Sequence, residues 1–508
     1  MKRHQLWLLA VIIFLLQCIG GYGISFTGDE VVPDKGINLY GEIKDAEGNP
    51  VPNVVVSDGY TCTSTNSKGL YQLVKNKNSQ FVFYSTPSAY KIETKGSNDN
   101  NPCFYARIDG KSNQLIRHDF VLNKLSNSEN NFTLVCIGDP QCANSVQTAR
   151  FKNETVKDLN HLISTVSAPC YGIALGDVVW NTPEVLPAMN KLIGSIHIPV
   201  FVTVGNHDKS RNPQSKLLPR SSDDFKSVFG PTDYSFNRGS VHFISLDNIM
   251  YSNSEDYKGG ITDEQLKWVK NDLSYVSKDK MVIVYYHIPV SNAKDNNEEI
   301  LRNLLKDYKE VHLMAGHTHT NKNYIFTSAP NMYEHIHGTA CGAFWHSTMC
   351  CDGTPNGYEV YEIDGNRMKN WYFKAVNYDK GFQIRLYHGD ASFGGQYGNF
   401  SFGLGKGSIV ANVWNADRKW KIEVFEDGAR TGKMKSMAGK SYDAWAVGYH
   451  VGVLHRKMKS FGKKCSHLYT YTLKNPGASR IEVKATDEFG NVYTQNSFTS
   501  DFSSAISY

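Results

Sequence analysis

The chain has 508 residues, 41% of them hydrophobic and 20% charged. This is ordinary globular composition; at ~150 residues per domain the length allows about three domains, and a wholly disordered or fibrous chain is excluded. The net charge is only +5 and no basic block stands out, which argues against charge-driven nucleic-acid binding, while the 12% aromatic content fits a chain rich in β-structure.

At the N-terminus Lys2 and Arg3 precede an apolar run from Leu6 to Leu16 and the small residues Gly20, Gly21 and Gly23. That order is the signature of a secretory signal peptide, predicted over 1–23, and the run is shorter than the ~20 residues a membrane span needs. No later run is long enough to span, so an exported, periplasmic or cell-surface protein without a transmembrane segment is expected. Leu15-Leu16-Gln17-Cys18 loosely resembles a bacterial lipobox, which makes lipidation at Cys18 the rival expectation. Cleavage near Gly23 removes Lys2 and Arg3 and lowers the net charge to +3.

Residues 38–124 alternate in short strand-like segments separated by turns such as Asp45-Ala46-Glu47-Gly48-Asn49 and Asp58-Gly59, which predicts a small β-sandwich. Ser126 to Asn131 is polar throughout and reads as a linker. Over 130–375 the pattern changes to alternating strands and helices. Strands are predicted at Phe132–Ile137, Tyr171–Leu175, Val200–Val204, Met281–Tyr286 and Val311–Ala315. Helices are predicted from Asn144, over Val185–Ile196, after the capping box Thr262-Asp263-Glu264-Gln265, and over Glu298–Tyr308. This alternation indicates an α/β core. Strand-like segments return over 376–508, a β-rich third domain.

Each core strand ends in a short polar cluster: Gly138-Asp139-Pro140-Gln141, Gly176-Asp177, Gly205-Asn206-His207-Asp208, His287, and Gly316-His317-Thr318-His319. Open α/β sheets bind ligands at the carboxyl ends of their strands. Five such ends pool Asp139, Gln141, Asp177, Asn206, His287, His317 and His319, a mixture of carboxylate, imidazole and amide oxygen suited to divalent transition metals. An aspartate between two ligand groups can bridge two ions. Singly each cluster is an unremarkable turn, but five in order after apolar strands are not.

This series resembles the calcineurin-like metallophosphoesterase superfamily, whose pattern is D-x-H, G-D, G-N-H-[DE], H and G-H-x-H. The resemblance implies a four-layer αββα sandwich holding two divalent ions of Mn, Fe or Zn. Asp139, His319 and Gln141 would hold one ion, Asn206, His287 and His317 the other, and Asp177 would bridge them. A bridging hydroxide would attack a small-molecule phosphomonoester or phosphodiester. His207 would face the substrate, with Asp208 orienting its ring and Asn206 adding a phosphate contact. Gln141 departs from the usual histidine, which weakens that donor. The N-terminal module resembles a carboxypeptidase-regulatory-like sandwich. Gly342 to His346 and Asp352 to Tyr358 resemble the end of the catalytic domain in exported bacterial members, which carry a C-terminal metallophosphoesterase-associated domain. The fold implied is thus α/β flanked by two all-β domains, with Trp345 and His346 as substrate-pocket residues.

Other residues are read structurally. Cys62 and Cys103 are a candidate disulfide, and Cys350-Cys351 is read as structural. Cys136 and Cys142 are read as small buried hydrophobes. His335 and His337 alternate on one strand and are read as a solvated face. A metallopeptidase is disfavoured because no HExxH pair occurs. The competing function is a catalytically degenerate member that binds surface glycans or a partner.

Overall fold

The computed structural model describes residues 31–108, 114–210, 219–251, 256–292 and 296–505. The signal-peptide segment, Cys18 and part of the loop from Asp208 to Phe229 lie outside them. Among the described residues no helix is long and apolar enough to cross a membrane.

The central region builds two sheets. In the first, β1 (Asn131–Ile137), β2 (Cys170–Ala174) and β3 (Val200–Val202) run parallel. The second holds the hairpin β4 (Tyr234–Arg238) and β5 (Val241–Ser245), then β6 (Met281–Tyr285), β7 (Glu310–Ala315), β8 (Lys322–Ile325) and β9 (Met332–Ile336). A hairpin of β10 (Gly357–Asp364) and β11 (Arg367–Ala375) completes the first sheet. The strand orders are β3-β2-β1-β10-β11 and β4-β5-β6-β7-β9-β8.

The pleat decides which side chain faces what. Along β1, Phe132, Leu134 and Cys136 join a core shared with the second sheet, while Val135 and Ile137 face Phe151, Leu159, Met189 and Ile193. Those four belong to the helices α1 (Ser145–Phe151), α2 (Lys157–Thr165) and α3 (Leu186–Gly194). Between the sheets, Phe236 stacks on Phe201 at 3.7 Å and on Phe243 at 4.4 Å. Helix α4 spans Asp223–Phe229. Helices α5 (Asp263–Leu273) and α6 (Asn296–Leu305) bring Trp268, Leu273, Leu301 and Leu305 to the same core. The capping box at Thr262 is present, its hydroxyl accepting from the Gln265 N–H.

The flanking regions are tied to this core. In the N-terminal module, two four-stranded sheets form around Leu39–Asp45 and Val55–Ser57. Trp268 Nε1 of α5 donates to Ser57 Oγ at 3.0 Å. The C-terminal region has two further four-stranded sheets and, contrary to an all-β expectation, a helical insert over 444–461.

Two structural expectations need correcting. Cys62 is a free thiol whereas Cys103 is disulfide-bonded, so the Cys62–Cys103 bridge is not formed. His335 and His337 are buried, because β9 is an interior strand paired on both sides.

Candidate metal centre

The parallel strands β1, β2, β3, β6 and β7 deliver the five polar clusters to one place. The chain must turn sharply there, and non-glycine residues take left-handed backbone: φ is 32° at Asp139, 45° at Gln141, 47° at Asp177, 68° at His317 and 58° at His319. Such strain costs of order 1–3 kcal/mol per residue and gathers at functional sites. Two glycines allow the close approach. A Cβ on Gly205 would stand 2.0 Å from Asp177 N, and one on Gly316 would stand 2.2 Å from Asp139 Oδ1.

The side chains form two groups that share Asp177: Asp177 with His287 and His317, and Asp139 with Asp177 and His319. Within each group the donor atoms lie within 4.8 Å of one another. His287 Nε2 is 3.2 Å from Asp177 Oδ2, and His319 Nε2 is 3.1 Å from Asp139 Oδ2. Asn206 Oδ1 lies 3.0 Å from both His287 Nε2 and His317 Nδ1. His287 Nδ1 is held 2.7 Å from Leu175 O, which aims Nε2 into the site.

Gln141 reports most directly on what the centre takes. Its Nε2 donates to Asp177 Oδ2 at 3.1 Å, but its buried Oε1 has no partner. A buried acceptor left unpaired is expensive, and a cation is the partner the surrounding carboxylate and imidazole set would take. The donors present fit two divalent ions.

Electrostatics favour the ligating forms of Asp177 and His317. Burial pushes the Asp177 carboxyl up, yet the His287 and His207 imidazoles outweigh it and hold the group well below the usual carboxylate range. His317 is pushed down to about 4 by burial and by His287, which keeps its imidazole neutral. Burial lowers His287 too, but Asp177 and Asp139 reverse this and bring it to about 9, so an ion bound at its Nε2 would displace a proton. Burial and the neighbouring Asp177 charge raise Asp208 to about 8.

His207 sits beside the two groups, with its backbone N–H donating to Asp177 Oδ1 at 2.7 Å. Asp208 does not orient the His207 ring as the resemblance implied. Its carboxylate instead accepts from the N–H groups of Gly205 at 2.8 Å and Val179 at 2.9 Å, pinning two ligand loops together. The ring is held by Trp180, stacked on it at 3.8 Å. Phe344 meets Trp180 at 5.0 Å and His319 at 4.7 Å, both edge to face.

Trp345 is placed differently from the expected pocket residue. It is buried, and its Nε1 donates to Pro140 O at 2.7 Å, bracing the Asp139–Gln141 loop from behind. His346 is half-buried, and burial and the Arg456 charge lower its pKa. Sequence reasoning missed Trp180 and Phe344. Signals existed: Trp180 follows Asp177 by three residues, and Phe344 adjoins the Trp345 that was singled out.

Three family descriptions match the chain in succession. "N terminal of Calcineurin-like phosphoesterase" covers 37–125, "Calcineurin-like phosphoesterase" covers 114–321, and "C terminal of Calcineurin-like phosphoesterase" covers 334–493. The chain belongs to the calcineurin-like phosphoesterases. It carries both the N- and C-terminal parts described for that family. Its relatives include a "Probable cyclic nucleotide phosphodiesterase" of Rhodococcus erythropolis, 23% identical over 29% of this chain and 48% of the relative. Another, "Probable glycerophosphodiester phosphodiesterase GpdQ" of Arcobacter nitrofigilis, is 25% identical over 33% of this chain and 66% of the relative. The match thus spans about half of one relative and just under two thirds of the other. Among solved structures, a 5'-nucleotidase from Candida albicans aligns over 49% of this chain and 51% of its own, with 12% identity and a TM-score of 0.30. That likeness is too slight to carry an argument.

Proposed function

We propose that this calcineurin-like phosphoesterase is an exported hydrolase that cleaves a small-molecule phosphomonoester or phosphodiester at a dinuclear centre of Mn, Fe or Zn. The observation that carries the reading is the pair of donor groups sharing Asp177, with Gln141 Oε1 left unpaired beside them. The two relatives described as phosphodiesterases support the reaction class. The charged, apolar, small-residue order of the first 23 residues supports export.

Asp139, His319 and Gln141 would hold one ion and Asn206, His287 and His317 the other, with Asp177 between them. When bound, such ions neutralise phosphoryl charge and lower the pKa of water, which is what a slowly hydrolysing ester needs. The chain's own groups do the rest. Leu175 O and the Asn206 amide fix the His287 and His317 rings. Asp208 and Gly205 lock the β2 and β3 loops at contact distance. His207, held flat against Trp180, contacts a phosphoryl oxygen or protonates the departing alkoxide.

The scaffold proposed is a four-layer αββα sandwich over 130–375, with the β-sandwich module over 38–124 before it and the β-rich domain over 376–508 after it.

The test is turnover of mono- and bis-p-nitrophenyl phosphate by the full chain, before and after chelation and on restoring Mn, Fe or Zn. Turnover that chelation abolishes and metal restores supports the reading, and the preferred ester assigns mono- or diesterase. A chain that binds no metal and turns over neither ester, yet binds glycan, would replace the hydrolase with the binding protein.

A further inference from the structure

The helical insert of the C-terminal domain is irregular. Ala444–Val447 runs into a π-helix, Gly448–Val453, before Met458–Phe461. π turns are rare and recur at functional sites. His450 in the π segment is fully buried, with its Nε2 2.7 Å from Ser347 Oγ of the catalytic domain. Nδ1 of the same ring has no partner.

Arg456 is tied to His450 through the main chain, its backbone N–H donating to His450 O at 2.8 Å. Its Nε is also buried without a partner, and among the described residues its guanidinium makes no hydrogen bond or ion pair. Native buried polar groups are nearly all paired, so two orphans in residues joined by a main-chain hydrogen bond call for a missing ligand.

The third member is His346, next in sequence to Ser347. Burial lowers its pKa and the Arg456 guanidinium lowers it further. His450 is pushed down to about 3 by burial, then by Arg456 and His346. The influences on both rings are burial and positive neighbours, with no carboxylate among them. The sequence agrees: from Ala444 to Ile481 there is no Asp or Glu, while Arg456, Lys457, Lys459, Lys463 and Lys464 fall within that stretch. It is a local exception to a near-neutral chain.

We propose that Arg456, His346 and His450 form a binding site for a phosphate-type oxyanion at the seam between the catalytic and C-terminal domains. The guanidinium fork suits such an anion, and an oxyanion would accept from both orphaned nitrogens, with neutral His450 donating through Nδ1 while its Nε2 accepts from Ser347 Oγ. The site neighbours the metal centre. Phe344, two residues before His346, packs 4.7 Å from His319 and 5.6 Å from Phe461 of the insert. The anion has two sources: a second phosphoryl group on the substrate, or free phosphate. The first source rests on the hydrolase reading; the site itself does not.

The test is calorimetric titration of inorganic phosphate into the full chain after metal removal, so that the metal centre contributes nothing. Melting curves verify the fold of each variant. Saturable binding is expected in the wild type, weakened roughly tenfold or more in Arg456→Gln and partly recovered in Arg456→Lys. Identical isotherms in wild type and Arg456→Gln overturn the site, as does a wild type that binds no phosphate.

In the metal-loaded enzyme, KM values for a hexose bisphosphate and its monophosphate identify the source. A rise in Arg456→Gln confined to the bisphosphate assigns the site to substrate. Unchanged values alongside lost phosphate binding assign it to free phosphate. A wild type that binds phosphate but hydrolyses no ester overturns the hydrolase reading and leaves this site standing.

Discussion

Two buried histidine-rich regions lie in the same domain, and they differ in what meets their nitrogens. On β7 and β9, His312 Nδ1 is 2.8 Å from His335 Nε2, and His312 Nε2 is 2.7 Å from Glu310 Oε1. His335 Nδ1 is 2.7 Å from Asn323 Oδ1, while His337 reaches Ala315 O and the Tyr361 hydroxyl. Every ring nitrogen there has a protein partner, and none of these residues takes left-handed backbone. At the strand ends, by contrast, five proposed ligands sit at positive φ, and Gln141 Oε1 and His207 Nδ1 have no partner. Burial alone does not separate a structural histidine from a functional one. Strain together with unmet hydrogen-bonding capacity does.

Breaking the strand-end region should have the largest consequence. Asp177→Asn is expected to lose roughly 10³–10⁴-fold in kcat/KM, because it removes the charge shared by both donor groups. His207→Ala should cost roughly 10²–10³-fold, mainly in kcat, with metal content retained. Gln141→Ala should weaken one of two bound ions by about tenfold in a metal titration while leaving the other unchanged. If Gln141→Ala binds both ions as the wild type does, its orphaned oxygen has another explanation.

The strand-interior region should respond in stability instead. His335→Gln removes one ring and is expected to cost about 1–3 kcal/mol by denaturant melts, with kcat/KM of the folded fraction preserved. Burial keeps His335 well below its ordinary pKa and holds His337 at about 4. Both are therefore neutral when folded but take up protons when unfolded below about pH 6.5. Their stabilisation is complete above that pH and is lost as pH falls toward 4. The double variant His335→Gln with His337→Gln should flatten the fall in Tm over that window. An unaltered slope would place the acid sensitivity elsewhere.

The difference between the regions also explains what the sequence made legible. The clusters at Asp139, Asp177, Asn206, His287 and His317 stood out because each terminates an apolar strand, and apolar strands are short-range signals. Helix α5 was readable for a similar reason, through the Thr262 box. His335 and His337 were misread because alternation along β9 looks the same whether a strand is interior or at an edge; neighbours far apart in sequence decide that. The hairpin of β10 and β11 was read only as a domain tail, since its partner β1 lies more than 200 residues earlier. Trp180 and Phe344 carry no metal-ligand chemistry, so their place beside His207 and His319 is fixed by tertiary packing alone. Asp208 was expected on the His207 ring, but Val179 and Gly205 offered it two backbone donors within reach.

The central claim is that two ions share Asp177. Elemental analysis of the full chain and of Asp177→Asn, each after saturation with Mn, Fe or Zn and removal of excess, tests it most directly. The account predicts two equivalents in the wild type and fewer than two in the variant. A wild type that holds no ion, or an Asp177→Asn variant that still holds two, would contradict it.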